Sequence, residues 1–326
     1  MGQMSKILSY KNNRNSIVLS VSLIVSIIIT NSFIVFSPDE NSRSYFSNLT
    51  STVTVGIPMV IAFVMIFRYK RSIKKQEQED KPQVYPEHGR VIPSFYDNNK
   101  MHLSICIFLV LWFVAHIIWT FQYQQSSDIS IQDVFWFIGY GFFGYFLYSL
   151  YYHFFRKEFE PFVLTLIAII IVVILIFIID VIVSTLRLVS SQTIDNSVMF
   201  VTIAYPILDA IMVFPAILIF WAARRLSSKR SSYTPGLKKE VNKEVDEVSS
   251  LAPVSSIWIL LLSISMILTA IGDTGFAYST AYGPDTVQRN VWIWDIFYNS
   301  FGLCLAVALL GYKNFFSFNR IDTMQH

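Results

Sequence analysis

Long apolar stretches alternate with short polar ones along almost the whole chain. Each stretch runs for about 20 residues, the length an α-helix needs to cross the ~30 Å hydrocarbon core of a bilayer. The pattern predicts eight such spans, at roughly residues 16–36, 52–67, 102–121, 134–152, 162–183, 198–222, 255–278 and 291–312. We therefore expect an all-α fold, a polytopic membrane helix bundle with eight transmembrane helices.

Composition agrees with this class. Hydrophobic residues make up 54% of the chain and charged residues only 14%, whereas a soluble domain carries roughly a quarter charged residues. No small-residue cleavage site follows the first span, which predicts a signal anchor rather than a cleaved signal peptide. Cys106 and Cys304 both lie in apolar spans, and we expect ordinary buried thiols rather than a disulfide.

The basic residues predict the orientation. All but three of the 25 lysines and arginines fall at the termini or in alternate loops. The exceptions are Arg43, Arg187 and Arg289. The positive-inside rule then places both termini in the cytoplasm of a multi-pass protein of the cell membrane. With this orientation, Asn48-Leu49-Thr50 is an external glycosylation sequon.

The same pattern divides the chain into two parts. Residues 1–100 are predicted to form a two-helix N-terminal membrane pair with a charged cytoplasmic loop. Residues 101–326 are predicted to form a six-helix bundle of three hairpins, with a second cytoplasmic loop at 223–254. These loops are too short for a separate catalytic domain. Their mixed charge is typical of solvated segments, which can also contact anionic lipid or a separate signalling or complex partner. The expected partner is the lipid bilayer, and no nucleic-acid binding is predicted.

Acidic residues inside the apolar spans are the main functional signal. Asp180, Asp209, Asp273 and Asp295 lie within spans, and Asp133 lies at the edge of one. A charge deep in a bilayer costs from about 3 to over 10 kcal/mol, so such acids must be protonated, hydrated or paired with a cation. The predicted topology puts Asp209 at mid-depth and the others in the outer half, which indicates a polar centre opening outward.

Two prolines flank the mid-depth acid. Pro206 and Pro215 each free a backbone carbonyl one turn earlier in the helix that carries Asp209. Irregular backbone at membrane depth is tolerated when it faces protein or a water-filled cavity. The pattern predicts either a ligand site with a hinge or a kink that serves packing alone.

Histidine and aromatic residues add further candidates. His116 is the one histidine well inside a span, and beside several carboxylates it is compatible with a structural role, a proton sensor or a metal ligand. The metal therefore stays open, and no cofactor is indicated. Tryptophans near the outer interface are typical of an aromatic belt, but acids and indoles in one pocket would form a cage for a cationic ligand.

Several enzyme signatures are absent from the sequence. The chain contains no His-Glu-x-x-His, Cys-x-x-Cys, phosphate-binding glycine loop or Gly-x-Ser-x-Gly. We therefore expect a protein that is not an enzyme.

Three short stretches resemble the multi-span membrane sensory input domains of microbial diguanylate cyclases and histidine kinases. They are Asp133 to Gly139-Tyr140, the Ala-Tyr-Pro-x-x-Asp helix at 204–209, and Asp273 followed by Trp292-Ile-Trp-Asp295. The resemblance covers about residues 101–315 and implies a sensory architecture with an undefined stimulus. The chain ends after span 8 without a cyclase, kinase or coiled-coil output, so signalling would need a separate partner.

The leading hypothesis is a non-enzymatic, sensor-like membrane protein. It would bind a small ligand, proton or cation in an outward-facing acidic pocket. The expected site residues are Asp209, Asp273 and Asp295, with Tyr205, His116 and Asp180 beside them, and Pro206 and Pro215 as hinge residues. The alternatives are a secondary transporter or proton-coupled carrier, and an accessory or structural subunit of a membrane complex.

Overall fold

The described part of the chain is helical. The computed structural model describes residues 21–37, 39–78, 95–122, 130–154, 196–231, 252–281 and 284–322, together with Val18 and six positions between Thr165 and Val183. The continuous helices are α1 Val21–Val35, α2 Glu40–Gln78, α3 Phe95–Gln122, α4 Ile131–Phe154, α5 Asn196–Ser231, α6 Ala252–Ala281 and α7 Pro284–Asp322. No strand occurs within these ranges, which agrees with the predicted all-α class.

Six of these helices are long and apolar enough to cross a membrane. Their spanning segments are Ser42–Phe67 in α2, Lys100–Phe121 in α3, Ile131–Tyr152 in α4, Ile203–Trp221 in α5, Trp258–Ala277 in α6 and Trp292–Gly311 in α7. Helices of this length and composition indicate a multi-pass integral membrane protein in contact with the lipid bilayer.

The predicted count of eight spans is not confirmed. The first predicted span is described as a shorter apolar helix, α1. Most of the fifth, at 162–183, lies outside the described residues, and so does Asp180. The described positions of this segment (Thr165, Ile169, Val172, Ile176, Ile179 and Val183) are helical and exposed. The cytoplasmic placement of both termini also stays a prediction.

The spanning helices form a closed ring. Each helix from α2 to α6 packs against the next one along the chain, and α7 packs against α2. Aromatic side chains fill the centre, where the Phe108 and Phe143 rings stack at 4.4 Å and Trp112 lies 5.2 Å from Phe301. Lipid tails are as apolar as these side chains, so close packing rather than removal from water stabilises this core.

Helix α2 begins well before the predicted second span, and its extra turns carry polar residues into the bundle. Ser51 Oγ donates to Asn299 Oδ1 of α7 at 2.9 Å, and Asn299 Nδ2 donates to Asn31 Oδ1 of α1 at 3.2 Å. A Cβ atom on Gly302 would lie 2.7 Å from the Thr54 carbonyl oxygen, so glycine permits the close approach of α7 to α2. The N-terminal helices are therefore packed into the bundle, while the predicted division at residue 100 stays a prediction.

The glycosylation expectation for Asn48 is wrong for the folded protein. Asn48 lies inside α2 and is 3% exposed. Its Oδ1 atom accepts a hydrogen bond from Trp119 Nε1 of α3 at 3.1 Å. The sequence triplet is present, but helical packing removes the side chain from the surface. The expectation for Cys106 and Cys304 is confirmed, because both are buried, free thiols.

Candidate ligand-binding site

A cavity of about 80 Å³ lies near the ends of the spanning segments of α3 and α6 and near the starts of those of α4, α5 and α7. This is the end of the bundle that the sequence-based topology places outside. The volume has room for several water molecules or a small ligand. Its walls combine carboxyl groups with aromatic rings: Asp133, Asp273, Asp295, Trp112, Trp119, Trp136, Tyr140, Tyr205, Phe276, Tyr298 and the imidazole of His116.

Asp133 is held by local helix chemistry. Its Oδ2 atom accepts hydrogen bonds from the Ser130 backbone N–H at 2.9 Å and from Ser130 Oγ at 3.2 Å. This arrangement resembles a capping box at the start of α4, where a negative charge is also stabilised by the helix dipole. Tyr205 Oη of α5 donates to Oδ1 at 2.8 Å, so three donors surround this carboxylate.

Asp273 of α6 receives two tyrosine hydroxyls. Tyr298 of α7 hydrogen-bonds to Oδ1, and Tyr140 of α4 hydrogen-bonds to Oδ2. Gly272 leaves space for the Tyr298 ring, because a Cβ atom there would lie 2.9 Å from Tyr298 Cε1. Asp273 therefore joins three helices at the wall of the cavity.

Asp209 lies behind Tyr140 and outside the cavity lining. Its Oδ1 atom is 2.7 Å from Tyr140 Oη. Its Oδ2 atom is buried without a hydrogen-bond partner, in a residue that is only 4% exposed. Helix α5 continues through both Pro206 and Pro215, so the hinge expected at these prolines stays a prediction.

Asp295 is tied to α2. The Ser47 hydroxyl, which is fully buried, hydrogen-bonds to Asp295 Oδ2. The polar residues gained by the early start of α2 thus reach the cavity wall as well as the α7 interface.

His116 is surrounded by aromatic rings. Its imidazole lies 5.7 Å from the Trp136 ring, 6.5 Å from the Tyr298 ring and 6.3 Å from the Trp112 ring. Among the described residues, no three or more His, Cys, Asp or Glu side chains are grouped so that they could hold a metal ion. The surroundings of His116 favour an aromatic wall over a metal centre.

The similar strings Asp133-Val-Phe-Trp136 and Asp295-Ile-Phe-Tyr298 have similar roles in the structure. In each, an aspartate near the start of a membrane-spanning segment is followed three residues later by an aromatic residue on the same helix face. All four of these side chains line the cavity. The aromatic member of each string lies near His116, with Trp136 at 5.7 Å and Tyr298 at 6.5 Å.

The structure brings most of the predicted site residues to one place. Asp273, Asp295, Tyr205 and His116 line the cavity, and Asp209 lies one hydrogen bond behind it.

Sequence reasoning missed other members of the site, namely Tyr140, Tyr298 and the tryptophans at 112, 119 and 136. Tyr140 was visible only as the end of a Gly-Tyr motif, and Tyr298 only through the repeated string. The tryptophan positions are typical of an aromatic belt, because single-helix patterns do not show which rings share a cavity.

Comparison with known protein-family models, with curated proteins and with solved structures finds no match to this chain.

Proposed function

We propose that this chain is a non-enzymatic, sensor-like protein of the cell membrane that binds a small organic cation in the cavity. The observation that carries the proposal is the convergence of three carboxyl groups and seven aromatic rings on one cavity. The described lining contains neither lysine nor arginine. A cation over an aromatic face gains about 0.5–2 kcal/mol, with the larger values at desolvated sites.

An organic ammonium ion fits this lining better than a metal ion. Calcium and magnesium need six or more oxygen ligands in a compact shell, whereas the carboxyl groups here are engaged by hydroxyl donors and form no group of three or more possible metal ligands within the described ranges. An ammonium ion with methyl groups can contact ring faces and carboxylates together.

A sensory role is also supported by the resemblance of the motif stretches to input domains, and a separate signalling partner at the cytoplasmic loops belongs to the same proposal.

A carrier is less well supported. Transport sites at membrane mid-depth typically use discontinuous helices, and α5 is continuous through both prolines beside Asp209.

The test compares charged and uncharged ligands of the same shape. Choline and tetramethylammonium should raise the unfolding midpoint of the detergent-purified protein, whereas 3,3-dimethylbutan-1-ol, the neutral isostere of choline, should not. At ten times its dissociation constant, a ligand adds about 1.4 kcal/mol to stability. An equal response to the alcohol, or no response to either cation, would overturn the proposal.

Two tryptophan variants locate the response. Trp136→Leu removes a ring from the cavity wall and should weaken the choline effect. Trp258→Leu removes a buried ring that packs beside Gly311 near the other end of the bundle, so it should lower stability without weakening the choline effect. The reverse pattern would exclude the cavity as the binding site.

A further inference from the structure

The Tyr140 hydroxyl lies between two carboxyl groups that come from different helices. Its Oη atom is 2.7 Å from Asp209 Oδ1 and also hydrogen-bonds Asp273 Oδ2. Tyr140 is 1% exposed. A phenol carries a single hydrogen, so it can donate to only one of two acceptors. The second hydrogen bond therefore requires a hydrogen from a carboxyl group, and one of the two acids must be protonated.

The surroundings of the two acids differ, and the difference identifies the protonated one. Asp273 has a second phenol donor, because Tyr298 hydrogen-bonds to its Oδ1 atom, and hydrogen bonds to an ionised acceptor are the stronger kind. Asp209 has a buried Oδ2 atom without a partner. A charge on Asp209 would leave that oxygen desolvated and uncompensated.

A hydrogen on Asp209 has two acceptors within reach. The side chains of Asp209 and Asp273 lie within hydrogen-bonding distance of each other, so the hydrogen can be donated directly to Asp273. A hydrogen on Oδ1 can be donated to Tyr140 Oη, which then donates its own hydrogen to Asp273.

We propose that Asp209 is a neutral acid that carries a proton, and that Asp273 carries the negative charge of the group formed by Asp209, Tyr140 and Asp273. The hydrogen of Asp209 is directed toward Asp273, either directly or through Tyr140. This places the charge on the cavity wall, where Asp273 joins Asp133 and Asp295 in facing a bound cation. This last step rests on the proposed function, whereas the placement of the proton does not.

Infrared difference spectroscopy tests the placement of the proton without any ligand. Near neutral pH, Asp209→Asn should remove a carbonyl stretch of a protonated carboxyl group from the wild-type spectrum, seen as a band that shifts in heavy water. Asp133→Asn is the matched control, because three donors surround that carboxylate and it should contribute no such band. A carbonyl band that keeps its full wild-type intensity in Asp209→Asn, or that is lost in Asp133→Asn instead, would overturn the proposal.

The binding test uses choline with the same pair of acids. Asparagine is nearly isosteric with a neutral aspartic acid, and its amide can donate to Tyr140 in the same direction. Asp209→Asn should therefore fold and keep its choline affinity within about threefold of wild type. Asp273→Asn removes the charge and should weaken binding by about 30-fold or more.

Equal losses in the two variants, or an Asp209→Asn protein that no longer folds, would contradict the proposed charge placement. A wild-type protein that does not respond to choline would instead refute the cation-binding function, and the infrared result would still decide where the proton lies.

Discussion

Removing the Tyr140 hydroxyl should cost more stability than removing any other single hydroxyl in the site. Tyr140→Phe keeps the ring, which packs edge-on against Trp112 at 5.5 Å, and deletes only the oxygen that joins Asp209 to Asp273. Each interhelical hydrogen bond in a membrane protein contributes about 0.6–2 kcal/mol. Two are lost here.

The loss also leaves a buried acid unsatisfied. The Oδ2 atom of Asp209 already has no partner, and Tyr140→Phe would remove the partner of Oδ1. An unsatisfied buried polar group costs about 1–3 kcal/mol more. The expected total for Tyr140→Phe is therefore about 2–7 kcal/mol. Tyr298→Phe removes one hydrogen bond and leaves Asp273 with Tyr140, so about 0.6–2 kcal/mol is expected.

Two buried native thiols provide the assay. Cys106 and Cys304 are each 4% exposed, so a fluorogenic maleimide should react with them only as the bundle unfolds. An SDS titration in mixed micelles then gives the unfolding free energy of each variant. Tyr145→Phe is the control, because that tyrosine is 44% exposed on the same helix and its loss should change little. A Tyr140→Phe cost equal to or below that of Tyr298→Phe would refute the reasoning.

Two further outcomes are expected. Gly275→Ala should lower the unfolding midpoint, because the added Cβ atom would lie 2.2 Å from the Trp294 ring. Gly141→Ala is the control, because a Cβ atom there would have no atom within 4 Å. This control should leave the midpoint unchanged or raise it, since alanine favours a helix over glycine by about 0.5–1 kcal/mol. An equal effect of the two substitutions would contradict the packing described. In a glycosylating eukaryotic host, Asn48 should remain unmodified because it is buried against Trp119. A shift in gel mobility that is sensitive to endoglycosidase and that Asn48→Gln abolishes would contradict the buried position of Asn48.

The acids of the site illustrate how far single-sequence reasoning reaches. Each aspartate was visible as a costly charge in an apolar span, and the predicted topology placed Asp273 and Asp295 at one end of the bundle, where both now line the cavity. Asp209 was predicted to lie at the centre of the site, but the structure puts Tyr140 between it and the cavity. That difference depends on how α4 and α5 are rotated about their axes. The hydropathy of an apolar span contains little information about this rotation.

The N-terminal helices show a second limit. The apolar pattern placed the second span at 52–67, because the preceding serines, asparagine and threonine are too polar to score as membrane helix. In the structure three of these residues, Ser47, Asn48 and Ser51, are helical and buried, since each finds a partner on α3 or α7. A polar residue can lie within a membrane helix when a neighbouring helix satisfies it, and that neighbour is not part of the local sequence.

The sequence by itself determined the membrane class, the approximate positions of the described spans and the buried acids Asp209, Asp273 and Asp295. All three follow from local hydropathy and from the length needed to cross a bilayer. Only the tertiary structure decided that α7 closes a ring on α2, that Tyr140 joins Asp209 to Asp273, and that tryptophans from different helices share a cavity. The physical reason is that lipid and protein interior are equally apolar. Hydropathy therefore marks a spanning helix but not the face it turns to its neighbours, and close packing and paired polar groups select that face.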